Sequence, residues 1–257
     1  MPNVWEAVGP APAAAGAPPG PFVNHPVFKG LFDSPTTAPT PPPGTTTNGN
    51  NCANDFPSAA IDNAGNIYAV WAMNDTRTNH FNIWFAASHD HGQNFYGPFQ
   101  VSSGPGHAVM PWIAAGDGGR INIVYYGTPD TQDPNTSTTD RWNVMFAQSL
   151  NANSREPVFR TVQASDHVNH VGTICNLGLL CGSGTRTLLD FFQVAIGPDG
   201  LANISYADNG SSATHAEFAR QNSGPLALRN PSSVGCTEAP TPTPTASPTP
   251  TPKPHKK

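Results

Sequence analysis

Between residues 56 and 229 the apolar positions fall in short runs rich in β-branched and aromatic side chains, each closed by Gly, Asn, Asp or Pro. No stretch holds a helical period, so the pattern predicts strands. Two phrases return in a fixed order. The first is Gly65-Asn66-Ile67-Tyr68-Ala69-Val70-Trp71, echoed from Gly119 to Tyr125 and from Gly200 to Tyr206. The second is Asn82-Ile83-Trp84-Phe85-Ala86-Ala87, echoed from Asn143 to Ser149 and from Ala216 to Gln221. Ordered recurrence marks an internal repeat, and the repeat decides the fold before any single residue does.

Laid over one another, the three copies each predict four strands. The first strands are Phe56–Asp62, Met110–Gly116 and Leu189–Gly197, each entering a Gly-containing turn. The recurring phrases are the second and third strands; the fourth are Phe99–Ser103, Phe159–Ala164 and Leu226–Arg229. Four antiparallel strands in a unit of about 40–55 residues are the blade of a β-propeller. A β-sandwich is the rival, but it does not require the same phrases to return in the same order. The expected fold is all-β, with three four-stranded blades at about residues 56–103, 110–165 and 188–232 inside a folded region of 52–236.

Proline usage sets the boundaries. Twelve of the 29 prolines lie in residues 1–50 and seven in 237–257. Residues 1–51 and 237–257 are therefore expected to be disordered, with the Thr/Pro tail extended and polyproline-like, a stalk or spacer typical of secreted and surface proteins. Within the first segment, residues 21–32 are one apolar patch, the candidate remnant of an earlier blade strand.

Charge narrows the partners. Twelve Lys/Arg against seventeen Asp/Glu leave −5, and three of the lysines sit at the extreme C-terminus. No basic stripe is present to follow a phosphate backbone, which argues against nucleic acid. No segment is long and apolar enough to span a bilayer. The first residues carry no signal-peptide pattern, whereas the Asn/Ser/Thr/Gly-rich body has an extracellular look; an upstream start or a fragment would reconcile the two. Four cysteines allow three pairings. Cys175 with Cys181 and Cys52 with Cys236 is the first choice. Free thiols remain open; the spacing is poor for zinc, and neither a metal nor a cofactor is expected.

Ser88-His89-Asp90-His91-Gly92-Gln93-Asn94-Phe95 follows the first copy of the second phrase. Ser88, Asp90, Gly92 and Phe95 resemble the Asp box, the BNR repeat of the sialidase superfamily. Copy two, Ser149-Leu150-Asn151-Ala152-Asn153, is eroded, and copy three has lost the pattern. The resemblance implies a sialidase-like β-propeller, incomplete here because such rings usually have six blades, so missing blades or a second chain would close it. It also implies that Asp90 caps a turn and Phe95 packs back into the blade, leaving the box a mark of fold rather than of chemistry.

Up-and-down strand order sorts the loops to two ends, and the end opposite the boxes is loaded with chemistry. It holds Asp75, Arg77, His80, Asp130, Asp133, Asp140, Arg141, Asp208 and His215, joined by Asp55, His107, Asp166, His167, His170, Arg186 and Asp190 from the connections between blades. Polar loops are ordinary, which accounts for about half of this excess. Asp190, inside Leu188-Leu189-Asp190-Phe191-Phe192, needs a partner, and a buried ion pair with Arg186 or Arg141 competes with a role as site acid.

Sialidases hold a substrate carboxylate with arginines and use a Tyr activated by Glu plus an Asp acid/base. Here the Arg-Ile-Pro element does not occur, Glu156 and Glu217 are the glutamates of the core, and neither Tyr125 nor Tyr206 is an obvious partner for Glu217. The resulting expectation is an extracellular propeller that acts on or binds carbohydrate. As a glycosidase it would use Asp190 or Asp140 as acid, Arg141 and Arg186 as anion clamps, and His107 and His170 as substrate contacts. The alternative is a non-catalytic glycan- or protein-binding module on a Thr/Pro stalk, and a third is a nonfunctional fragment.

Overall fold

The structure, a computed structural model, describes residues 3–8, 21–29, 57–75, 78–176, 187–188, 192–210 and 213–230. Strands β1 (Asn3–Val8) and β2 (Val23–Lys29) form an antiparallel pair. Then comes a first sheet of β3 (Ser58–Ile61), β4 (Ile67–Asp75), β5 (His80–Ser88) and β6 (Tyr96–Gln100), paired in sequence order. The second sheet repeats this order with β7 (Ala108–Ala115), β8 (Ile121–Gly127), β9 (Arg141–Ser149) and β10 (Arg160–Gln163), and the short β11 (His170–Val171) adds to β9. A third sheet contains β12 (Gln193–Ile196), β13 (Ala202–Asp208) and β14 (His215–Arg220). Every pairing is antiparallel, and no helix occurs among the described residues.

Strand alternation explains why the sheets stack. Side chains of β8 point to opposite faces in turn. Ile121, Ile123 and Tyr125 pack on Tyr68, Val70, Ile83 and Phe85 of the first sheet. Val124 and Tyr126 pack the other way, on Val194, Ile204 and Tyr206 of the third and on Phe192 just before it. A sheet buried on both faces reads as a nearly continuous apolar run, which is how β8 reads. Each large side chain so buried contributes about 1.5–3 kcal/mol.

Two expectations change. Residues 1–51 are not structureless throughout, because β1 and β2 lie within them. Val4, Val27 and Phe28 bury against Ala69, Trp71, Met73 and Trp84 on the outer face of the first sheet, with the Phe28 and Trp71 rings 5.5 Å apart. The proline count took no account of that apolar surface. The other change concerns Leu226–Arg229, expected as a strand, which belongs to no sheet. Its backbone is spent elsewhere: Asp117 N–H donates to Ala227 O at 3.0 Å, Ala227 N–H to Gly200 O at 2.9 Å, and the Arg120 guanidinium to Leu226 O at 2.6 Å. Cys175 is disulfide-bonded. Cys52, Cys181, Cys236 and the tail 237–257 lie outside the described residues.

The turns that open each sheet are stitched to one another through Asp62. Its carboxylate accepts from Ala64 N–H and Asn66 N–H at 2.9 and 3.0 Å, from Tyr68 O–H at 2.6 Å, and from Gly119 N–H of the second sheet at 2.9 Å. Gly119 has φ +79°, and a Cβ there would strike the Asn153 side chain, so the close approach requires glycine. Asn63 N–H adds a bond to Gly116 O at 2.8 Å. Burial pushes the Asp62 carboxyl up, but the hydrogen bonds from Tyr68, Asn66 and Gly119 outweigh it and hold the group below 3.8. Its stabilising contribution is therefore complete above the ordinary carboxylate range and is lost as pH falls through the lowered value.

Asp62→Ala is expected to cost about 3 kcal/mol in urea unfolding, because it strands a buried phenol and a buried amide. The same variant should flatten the acid side of the stability profile; an unchanged profile would place the acid-sensitive group elsewhere.

Candidate functional site

Hydrogen bonds across the loops establish the two ends of the stack. At one end lie the first-hairpin turns and the box turns. Ser88 Oγ lies 2.8 Å from Asp90 Oδ1 and accepts from Gly92 N–H at 2.9 Å, while Asp90 accepts from Asn94 N–H at 2.9 Å and Asn94 Nδ2 at 2.8 Å. The Asn94 side chain and backbone, followed by Ser88, hold the Asp90 carboxyl down to about 2. Phe95 packs beside the Trp71–Trp84 cluster. Asn151 does similar work in the second copy, accepting from Val158 N–H at 2.9 Å. These side chains are occupied with turn geometry.

The opposite end carries a connected network of titratable groups on a single hairpin and the connection beside it. In the β13–β14 register Tyr206 faces Glu217 and Asp208 faces His215, so all four side chains share one face. Tyr206 O–H donates to Glu217 Oε2 at 3.1 Å. His215 Nε2 lies 3.1 Å from Glu217 Oε1 and 4.0 Å from Asp208 Oδ1. From the connection between sheets two and three, His167 Nε2 reaches Asp208 Oδ2 at 2.9 Å, and its Nδ1 lies 2.6 Å from Asp166 Oδ1. Asn209 N–H donates to Asn169 O at 2.9 Å, tying the two segments together.

Burial grades the network from outside to inside. Asp166 and the two imidazoles meet solvent, whereas Tyr206 is 4% and Asp208 0% exposed. Asp166 and then Asp208 raise the His167 pKa above 6.5, and the Ala213 carbonyl followed by Glu217 raises that of His215. Burial first, then the Glu217 carboxylate, pushes the Tyr206 phenol up, keeping it protonated. The arrangement offers cationic proton donors beside a carboxylate that already accepts from a phenol. That set can move a proton in either direction.

The residues singled out from sequence fare differently. Asp190 and Arg186 lie outside the described residues. Asp140 is fully buried, with Oδ1 accepting from Ser137 Oγ at 2.5 Å and Oδ2 unpartnered. Burial pushes its carboxyl up, and Asp130 and Asp133 add to the effect. Arg141, next along the chain, is exposed, and its backbone N–H donates to Asp130 Oδ2 at 2.8 Å. His107 is buried with Nδ1 accepting from Phe81 N–H at 3.1 Å; burial and then His80 push its pKa down to about 4, so it is a neutral fastener beside a cavity of about 270 Å³. His170 is likewise buried, between Asn209 Oδ1 at 2.7 Å and Thr173 O at 3.0 Å. No hydrogen bond among the described residues joins Asp140 to the Asp208 network. The Tyr206–Glu217 contact escaped the sequence reading, although Tyr-x-Asp and His-x-Glu spaced by two across a hairpin were a usable signal.

Histidine resonances followed by NMR are expected to give His167 and His215 midpoints above 6.5. Asp166→Asn should bring that of His167 back toward this value. Because both values are raised, the stability they lend is complete below 6.5, the ordinary value, and fades as pH rises through the raised midpoints. Unshifted midpoints would mean that the network does not hold in solution.

No family model matches the sequence, and no curated protein is significantly similar to it. Among solved structures, the chain is similar to a family 117 glycoside hydrolase produced by the marine bacterium Zobellia galactanivorans, with a TM-score of 0.40 and 15% identity. The match covers 71% of this chain and 57% of that one, so the chain spans little more than half the length of that protein.

Proposed function

We propose that this chain is a sialidase-like β-propeller module, extracellular, whose loop-rich end acts on carbohydrate at the Tyr206–Glu217–His215–Asp208–His167 network. The three stacked sheets stand as three blades of a larger ring. One observation carries the reading: where the third sheet meets the connection from the second, Glu217 takes both the Tyr206 phenol and the His215 imidazole, and 4.0 Å from that imidazole lies Asp208, which bonds His167. Glycosidic cleavage needs a proton donor for the leaving oxygen and a carboxylate-assisted nucleophile on the other side of the sugar. Here the Tyr206 hydroxyl gives its proton to Glu217 as its oxygen attacks the anomeric carbon, and the His167 or His215 imidazolium protonates the departing oxygen. Water, deprotonated by the imidazole so formed, then displaces the sugar from the Tyr206 oxygen, which takes its proton back from Glu217. The Asp-box resemblance supports the carbohydrate class.

A binding-only reading has its own support. Tyr206 is 4% exposed and its hydroxyl is already satisfied by Glu217, as suits a scaffold that presents His167, His215 and Asp166 to sugar hydroxyls.

Fluorogenic aryl glycosides, sialosides included, separate the two. Hydrolysis that falls about 100-fold or more in Glu217→Gln and His167→Ala, with the fold intact by circular dichroism, is the expected result. Retained glycan-array binding without turnover would establish the binding module, and neither would end the carbohydrate proposal.

A further inference from the structure

The hydrogen bonds of the Asp208 network leave acceptors over and no donors. His167 spends Nδ1 on Asp166 and Nε2 on Asp208. His215 spends Nδ1 on the Ala213 carbonyl at 3.0 Å and Nε2 on Glu217. All four partners are acceptors, which suits two imidazolium rings. Tyr206 spends its O–H on Glu217. Each of these atoms has a single proton to give, so in the resting site an arriving anion finds none free. A carboxylate, by contrast, accepts at about four lone-pair positions. Asp208 is sealed, and each Glu217 oxygen already has a partner. Asp166 Oδ2 is bonded by no other described residue, and its side chain is 93% exposed.

Charge points the same way. Three carboxylates against two imidazoles leave −1 with both rings protonated and −3 with neither. All three bear on one group, because Glu217, Asp208 and Asp166 each act on the Tyr206 phenol. Every ion pair they make among the described residues is with an imidazole, and Arg141, expected as an anion clamp, is a partner of none of them. A substrate carboxylate would meet like charge and no free N–H, and such rejection sets specificity. An ammonium group brings three N–H donors and the opposite charge.

We propose that the sugar recognised at this site is an amino sugar with a free ammonium group, that Asp166 Oδ2 accepts from it, and that Asp166 sets the preference. This rests on the carbohydrate reading of the same network and narrows it. Sialosides and uronides are disfavoured, and an N-acetylated sugar, which has lost the charge, ranks with neutral ones. Asp166 stands at the solvent margin, where one exposed ion pair changes an affinity about fivefold at most. Preference for the ammonium sugar over its neutral counterpart is therefore expected to be about fivefold, with the anionic sugar weaker than both.

Titration of the full chain with glucosamine, glucose, N-acetylglucosamine and glucuronate, and with the galactose series, tests this without requiring turnover. The readout is the His167 and His215 ring resonances by NMR. At about pH 5.5, below the ordinary imidazole value, both rings and the ammonium group stay charged. The amino sugar of at least one series is expected to bind about fivefold more tightly than its neutral and N-acetylated counterparts, and the uronate more weakly than any. Asp166→Asn should bring the amino sugar to the level of the neutral one, while Asp166→Glu keeps the preference; general loosening of the site does not produce that pattern. Equal affinity for amino and neutral sugars overturns the proposal and leaves the carbohydrate reading standing, as does a preference that survives Asp166→Asn. Tighter binding of the uronate overturns it too, and binding of no sugar overturns both readings together.

Discussion

A buried carboxylate that gathers donors from two sheets holds this stack in register. Asp62 sits at the first turn, satisfies its own hairpin and the Tyr68 hydroxyl, and takes Gly119 N–H from the neighbouring sheet. The apolar part of the sheet-on-sheet contact is non-directional and tolerates sliding. A charge-assisted hydrogen bond does not. At the same end Ala227 bonds Asp117 N–H of the second sheet's turn and Gly200 O of the third's, so the third sheet is referred to the second through that segment. Once these turns are aligned, the loops at the far end must converge as well.

That convergence makes the network possible. His167 belongs to a connection, Asp208 ends β13, and His215 begins β14, yet one buried carboxylate joins them. Asp208 is fully buried and would be costly alone; with an imidazole on one oxygen and Gly210 N–H at 3.1 Å on the other, its charge is compensated. Asp166 and then Asp208 raise His167, and the Ala213 carbonyl and then Glu217 raise His215, which leaves exposed imidazolium beside a satisfied core. Asp140 shows the contrast. Burial first, then the two acids nearby, drive its carboxyl up, and its single hydroxyl partner does not offset them.

Much of the architecture was legible because it rests on local rules. The glycine at each first turn and the recurrence of two phrases named the second and third strands of the three stacked sheets. The misses were cases in which a distant partner outbid local preference. Leu226–Arg229 has the composition of a strand, but Asp117, Gly200 and Arg120 capture its backbone. The segment holding β1 and β2 looked like a tail until Trp71 and Trp84 supplied a surface on which Val27 and Phe28 could bury.

For the site, residue types and the end of the fold they occupy follow from sequence, since strand order alone decides to which end a loop belongs. Which of those residues act together does not. His107 and His170 look like His167 and His215 in the sequence, yet the first two are sealed in the interior as fasteners and the second two face solvent. The sequence determined the strand periods, the turn chemistry and the repeat, all set by interactions within a few residues. Only the tertiary structure decided which titratable groups touch, because burial and the partner across a sheet are properties of the packed stack, and they set both charge state and availability.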